Sequence, residues 1–212
     1  PTGHAEQMDR MYRYQRHIYD LTRKYYLFGR DRMIAGLRAP EGARILEVGC
    51  GTGRNLALTR RHYPKTRLFG LDISQEMLQT AQTNLAADPQ PPTLLVADAT
   101  SFRPGDFGVS GFDRIIISYA LSMFPALEDA IAAALDALEP QGSLHIVDFG
   151  QQERLPRLFR RALQAWLSRF QVTPRATLHE VLESHLERAN ADMIFEEIGG
   201  GYAWHAVIRK RG

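Results

Sequence analysis

The sequence predicts an α/β protein built on a doubly wound, mostly parallel sheet. Three observations carry that expectation. Apolar runs at about residues 44–48, 67–71, 93–97, 112–118 and 143–149 alternate with helical patterns at about 54–62, 74–87 and 126–138, the repeat of strands joined by crossover helices. Runs such as Arg114-Ile115-Ile116-Ile117-Ser118 are continuously apolar rather than alternating, as strands covered on both faces must be. The chain has 212 residues, 44% hydrophobic and 24% charged, without repeats or a long linker, so a single domain spanning 1–212 with a sizeable core is expected.

The chain opens on an aromatic leader. Apolar or aromatic residues fall at 8, 11, 12, 18 and 19, with Gln15 and Thr22 completing the period, so a helix is expected. It brings Tyr12, Tyr14, His17 and Tyr19 together, and Tyr25, Tyr26 and Phe28 follow. Ring faces attract cations by roughly 0.5–2 kcal/mol; packing of the rings against the sheet accounts for them equally well.

The first strand, Arg44 to Val48, runs into Gly49-Cys50-Gly51-Thr52-Gly53-Arg54-Asn55. The three glycines remove side chains that would hold a ligand off the backbone, and they permit a sharp turn into a helix. Arg54 stands where a dinucleotide-binding loop needs glycine, which disfavours a pyrophosphate. The second strand ends in Asp72, whose carboxylate can accept both hydroxyl protons of a ribose. A nucleoside without a diphosphate is the expected ligand.

The remaining elements shape the exclusions. Leu155, Leu158, Phe159, Leu163, Trp166 and Phe170 form one face of an amphipathic helix over Glu153 to Phe170, with Arg154, Arg157, Arg160, Arg161 and Arg169 largely elsewhere. Such a helix can meet an anionic membrane or pack on the domain with its arginines in water. Residues 193–198 and 202–208 read as a strand pair across Gly199-Gly200-Gly201. A net charge of +2 gives no general affinity for nucleic acid. Cys50, the single cysteine, reads as a small loop residue in a reducing cytoplasm rather than a nucleophile. The seven histidines are scattered, without metal-ligand spacing, so no metal is expected. No run approaches the roughly 18 apolar residues of a membrane span.

Glu47 to Gly53, Leu71-Asp72-Ile73-Ser74 with Met77, Ala97-Asp98-Ala99, and Phe112-Asp113-Arg114-Ile115-Ile116 together resemble the motif series of class I S-adenosylmethionine-dependent methyltransferases over residues 40–150. The resemblance implies a Rossmann-like, doubly wound, mostly parallel seven-stranded sheet with a final antiparallel strand. It implies S-adenosylmethionine as cofactor and S-adenosylhomocysteine as product. Glu47, Gly49 and Gly51 would face the amino-acid part, Asp72 the ribose, Ile73 and Met77 the adenine face, and Asp98 with Ala99 the adenine edge. Met77 serves equally as a core residue. Tyr19, Arg30, Cys50, Asn55 and Ser118 complete the expected cofactor set, and Tyr19, Tyr25 and Tyr119 the catalytic set. A sulfonium already activates its methyl group, so alignment replaces a protein nucleophile. His17, Tyr119, His145 and Asp148 are candidates to remove the acceptor's proton.

The string from Tyr19 to Arg32, with Gly53-Arg54-Asn55-Leu56 and Asp148-Phe149-Gly150 before Leu155-Pro156-Arg157, is similar to one subfamily, the diacylglyceryl-homoserine N-methyltransferases of betaine-lipid synthesis. That implies an amine-bearing lipid acceptor, residues 1–39 as a helical cap, 40–150 as the cofactor core, and 151–212 as the amphipathic helix with the strand pair. The chain would then be cytoplasmic and peripheral at the inner membrane face. A small soluble amine, carboxylate or hydroxyl acceptor fits the cofactor half equally well. A third class, a cofactor-binding protein without turnover, is disfavoured by the intact motifs. Ser118-Tyr119-Ala120-Leu121 stands where nucleic-acid amino methyltransferases carry Asn-Pro-Pro-Tyr, and no basic aromatic stripe replaces it.

Overall fold

A computed structural model describes residues 29–152, 154, 158, 161 and 177–212. The expected strands form one seven-stranded sheet: β1 (Arg44–Val48), β2 (Arg67–Asp72), β3 (Thr93–Val96), β4 (Phe112–Ser118), β5 (Leu138–Phe149), β6 (Ala191–Ile198) and β7 (Ala203–Lys210). Their order is β3-β2-β1-β4-β5-β7-β6. All pairings from β3 to β5 are parallel, while β7, last in the chain, runs antiparallel between β5 and β6. The helices are α1 (Arg30–Ala35), α2 (Arg54–His62), α3 (Gln75–Leu85), α4 (Leu127–Asp136) and α5 (Leu178–Ala189).

Alternate residues of each strand enter opposite cores. Leu46, Val48, Phe69, Leu71, Ile115 and Ile117 face the side covered by α4 and α5, where Ala130, Ile131, Ala134, Leu178 and Leu182 close the layer. Ile45, Leu68 and Ile116 face the side covered by α1, α2 and α3, through Met33, Ile34, Leu56, Leu78, Ala81 and Leu85. Both faces are therefore dry, which is why these strands read as unbroken apolar runs. Each fully buried Leu, Ile or Phe side chain contributes about 1.5–3 kcal/mol.

Polar anchors fix the edges of these layers. Arg44 spans the amino ends of three strands, with its backbone N–H on Asp113 at 2.8 Å and its guanidinium on Glu139 at 2.9 Å. Arg60 of α2 holds Asp88 through both carboxylate oxygens, at 3.1 and 2.9 Å, and the carbonyls of Thr66 and Gln90 at 2.6 and 2.7 Å. It thereby ties α2 to the chain after α3 and to the entry of β2.

Two elements depart from the sequence expectation. Strand β5 starts at Leu138, not near 143, and its pairing with β4 shifts register between Phe112↔Leu138 and Arg114↔Ser143. The chain bulges through Glu139-Pro140-Gln141-Gly142, with Gln141 at φ 63°, so residues that read as a turn stay within the strand. Helix α5 was not expected, although Leu178, Leu182 and the partly buried Val181, Leu186 and Ala189 recur at helical spacing and pack on the core.

Candidate cofactor crevice

The crevice lies at the carboxyl ends of β1 to β4, where the parallel sheet diverges on either side of β1. At the end of β1, Gly49, Gly51 and Gly53 take φ values of 72°, 52° and 78°, which side chains disfavour. The amides of Gly49 and Cys50 both donate to the Leu71 carbonyl at 2.9 Å, folding the turn against β2. Gly53 then begins α2, with no side-chain cap on the first turn. A Cβ at Gly49 would stand 2.9 Å from Ala120 Cβ, and one at Gly53 would stand 2.6 Å from Leu85 Cδ1. The glycines thus serve both the backbone turn and close packing.

Asp72 closes the next turn. It is 9% exposed; Oδ2 accepts the Gly51 N–H at 2.9 Å and Oδ1 the Ser74 N–H at 3.0 Å. Ser74 caps α3 by accepting the Met77 N–H at 3.3 Å. The carboxylate joins the first two turns and is held in place by both. Asp98, after β3, accepts from the Thr100 amide and hydroxyl at 2.9 and 2.8 Å.

These turns line a crevice of about 890 Å³, solvent mouth included. Of the expected cofactor residues it brings together Gly49, Gly51, Asp72, Ile73, Met77, Asp98 and Ala99. It adds a wall that the sequence reading did not assign, Ala120 with Met123 to Ala126. The run Met123-Phe124-Pro125, five residues past the end of β4, has no periodicity that marks it in the sequence. This wall is braced from β5: Asp148 Oδ2 accepts the Ser122 N–H at 3.2 Å and Oδ1 the Phe149 N–H at 2.7 Å.

The other expected residues do not line it. Glu47 is buried behind the turn, with Oε1 accepting from Asn55 Nδ2 at 2.6 Å. The Cys50 thiol packs under Gly70, and burial, then the charges of Glu47 and Asp72, push its pKa well above the usual range. That opposes thiolate chemistry. Ser118 and Tyr119 are buried at the end of β4, Tyr119 at φ 52° with its ring 4.7 Å from Phe149. Burial, then Tyr202 and Asp148, raise the Tyr119 pKa. Arg30 is buried at the start of α1 and pairs with Asp31 at 3.0 Å. His145 lies within β5, its Nε2 2.9 Å from Ser143 Oγ, and burial lowers its pKa to about 3. Tyr19, Tyr25 and His17 lie outside the described residues, as does most of Glu153 to Phe170. Of that segment, Leu158 and Arg161 have helical backbone, and Leu158 is 84% exposed. Among the described residues no cluster of His, Cys, Asp and Glu is placed to hold a metal, and no helix is long and apolar enough to cross a membrane.

Comparison with known proteins matches residues 45–142 to a methyltransferase domain. The chain is 30% identical over 131 residues to the trans-aconitate 2-methyltransferase of Variovorax paradoxus, covering 61% of this chain and 48% of that protein. It is 26% identical over 144 residues to the demethylmenaquinone methyltransferase of Desulfitobacterium hafniense, covering 63% and 54%. The chain spans about half the length of these curated relatives. Among solved structures, the plantazolicin methyltransferase BpumL, in complex with a monoazolic desmethylPZN analog and S-adenosylhomocysteine, superposes with a TM-score of 0.72 at 16% identity, covering 100% of this chain and 97% of that one.

Proposed function

We propose that the chain is a class I S-adenosylmethionine-dependent methyltransferase, that it binds S-adenosylmethionine in the crevice at the ends of β1 to β4 and that it transfers its methyl group to an amine on a lipid headgroup; the matching methyltransferase domain and the fold support this reading. The observation that carries the cofactor assignment is Asp72, anchored by Gly51 and Ser74 where it lines the crevice. Its carboxylate suits ribose hydroxyls. Ile73 and Met77 offer apolar contact to one side of an adenine, Met123 and Phe124 to another, and Asp98 with Ala99 the edge. Gly49 and Gly51 let the amino-acid part approach the backbone. The cofactor supplies a methyl group already activated by its sulfonium. The chain's task is to align the acceptor and to keep water out.

The lipid amine rests on the resemblance of Tyr19 to Arg32 and of the chain after Asp148 to the betaine-lipid subfamily. In this reading Tyr19 and Tyr25 line the meeting point of sulfonium and amine, and the 153–170 segment brings a cytoplasmic enzyme to the membrane surface. A second reading, O-methylation of a soluble carboxylic acid, draws on the relative that is a trans-aconitate 2-methyltransferase. Purified protein incubated with labelled S-adenosylmethionine separates the two. Transfer to diacylglyceryl-homoserine in detergent micelles supports the lipid amine. Transfer to trans-aconitate instead selects the soluble acid, and binding of the cofactor without turnover on either acceptor refutes both.

A further inference from the structure

Among the described residues, buried polar atoms without a hydrogen-bond partner concentrate at one place outside the crevice. Ser118 Oγ, Ser122 Oγ, Gln151 Nε2 and both amide atoms of Gln152 all fall at the carboxyl ends of β4 and β5. Such atoms are rare in folded proteins, because each gives up its bonds to water and receives nothing in return. Gln152 is the sharpest case. It is fully buried, at a left-handed φ of 60°, and its backbone N–H is held by the Gly201 carbonyl at 2.8 Å. A side chain with nothing to bond is kept in a backbone conformation that few residues tolerate.

The surroundings of these atoms are contiguous and aromatic. The Tyr119 ring packs on Phe149 at 4.7 Å and Phe149 on Tyr202 at 6.0 Å, and the Gly150 N–H donates to the Tyr202 carbonyl at 2.9 Å. The start of α1 lies against the same strand, since a Cβ at Gly29 would stand 3.3 Å from Val147 Cγ2. Arg30 follows it with its side chain 7% exposed, and its hydrogen bonds among the described residues go to the single oxygen Asp31 Oδ1. Ser122 sits between Ala120 and Met123, both of which line the crevice, so this patch adjoins the cofactor wall.

The chemistry of the patch is one-sided. Two amide NH₂ groups and a guanidinium can only donate and two hydroxyls can donate or accept, while a single unpartnered amide oxygen can only accept. The nearby carboxylate, Asp148, accepts from two backbone amides. A purely cationic ligand would leave the guanidinium and both amide NH₂ groups without an acceptor. We propose that the methyl acceptor carries a carboxylate, received at the carboxyl ends of β4 and β5 by Gln151, Gln152, Ser118, Ser122 and Arg30. The proposal rests on the reading of the adjoining crevice as a methyl-transfer site and names the acceptor's second functional group.

The test is made without turnover. Protein saturated with S-adenosylhomocysteine is titrated by calorimetry with trans-aconitate, homoserine and micellar diacylglyceryl-homoserine, each beside its methyl ester. At least one free acid should bind ten times more tightly than its ester. Equal binding of every acid and ester, or no binding by any acid, overturns the proposal. Gln152→Leu keeps the shape and removes both unpaired atoms. It should abolish the preference for acid, leave S-adenosylhomocysteine affinity within a factor of two, and melt about 3 °C higher. A tenfold loss of S-adenosylhomocysteine affinity in that variant assigns the amide to the cofactor's own carboxylate and overturns the acceptor assignment. Should the leucine variant fail to fold, Gln152→Glu provides the second measurement: like charge should remove acid binding and spare the ester, and unchanged acid binding overturns the proposal. Failure of S-adenosylhomocysteine to bind the parent refutes the methyl-transfer reading itself, a result distinct from a bound complex without acid preference.

Discussion

Replacing Asp72 with Asn tests the crevice at the residue joining its first two turns. In the parent, one carboxylate oxygen accepts the Gly51 N–H at 2.9 Å and the other the Ser74 N–H at 3.0 Å, at a position 9% exposed. Asn keeps the size but offers one oxygen, so its NH₂ faces a backbone donor and one amide loses its acceptor. A buried donor left unsatisfied costs about 1–3 kcal/mol. For a chain of this length that lowers Tm by roughly 2–12 °C. The ribose adds a separate effect. Charge-assisted bonds to its hydroxyls are worth about 1.5–3 kcal/mol in total, so Asp72→Ala should bind S-adenosylmethionine about 10 to 150 times more weakly, and Asn should fall near the lower end. Calorimetry below the melting range reads the affinity, and scanning calorimetry reads the stability. Parental affinity in both variants would place the ribose elsewhere, and an unchanged Tm would refute the anchoring of the two turns.

Gly53→Ala should destabilise by about 2–4 kcal/mol, from backbone strain together with overpacking, because φ is 78° and the new Cβ would stand 2.6 Å from Leu85 Cδ1 and 3.1 Å from Ala81 Cβ; urea unfolding with parental stability would disprove the packing argument. Arg60→Lys should lose about 2–3 kcal/mol, since one ammonium cannot replace a planar fork serving a largely buried Asp88 and two carbonyls, and a thermal melt matching the parent would contradict it. His145 is held neutral by burial, then by the positive charges of Arg114, His205 and Arg209, with its pKa down at about 3. The unfolded chain therefore binds the proton first: stability is full above about pH 6.5 and falls by roughly 1.4 kcal/mol per pH unit as pH drops toward 3. Compared with the parent in urea titrations from pH 7 to 4.5, His145→Gln should show a shallower loss; parallel curves would exclude His145 as the source.

The sheet was legible because its central strands are buried on both faces. Arg44–Val48 and Phe112–Ser118 stand where their apolar runs put them, and α2 matches its pattern over 54–62. Gly49 and Asp72 were legible for a chemical reason: few turns other than a ligand turn combine alternating glycines with an acid at the next strand's end. The wall from Ala120 to Ala126 was not legible. It is a 3₁₀ turn and loop whose place is set by Asp148, far off in sequence, and short apolar loops have no period to read. The start of β5 was hidden by Pro140 and Gly142, which signal a turn locally while the neighbouring β4 keeps the bulged chain within the sheet. Glu47, Cys50 and Asn55 show a further limit. Motif position brought them to the turn, but Asn55 folds back onto Glu47 and the thiol turns under Gly70, directions that only the packed chain determines.

The strand order β3-β2-β1-β4-β5-β7-β6 has a consequence for synthesis and for ligand linkage. A nascent chain displays its glycine turn, Asp72 and Asp98 well before β4 arrives to flank β1 and supply the opposite wall. The first hundred residues therefore hold most of the contact groups and no enclosed site, and the ligand can reward only a chain that has completed its centre. Once bound, a ligand spanning the crevice touches turns that follow four different strands. Its free energy is then shared by the whole sheet, about 2.7 kcal/mol at a concentration one hundredfold above its dissociation constant. Turnover of the protein in the cell should accordingly track the supply of cofactor as well as the intrinsic stability of the chain.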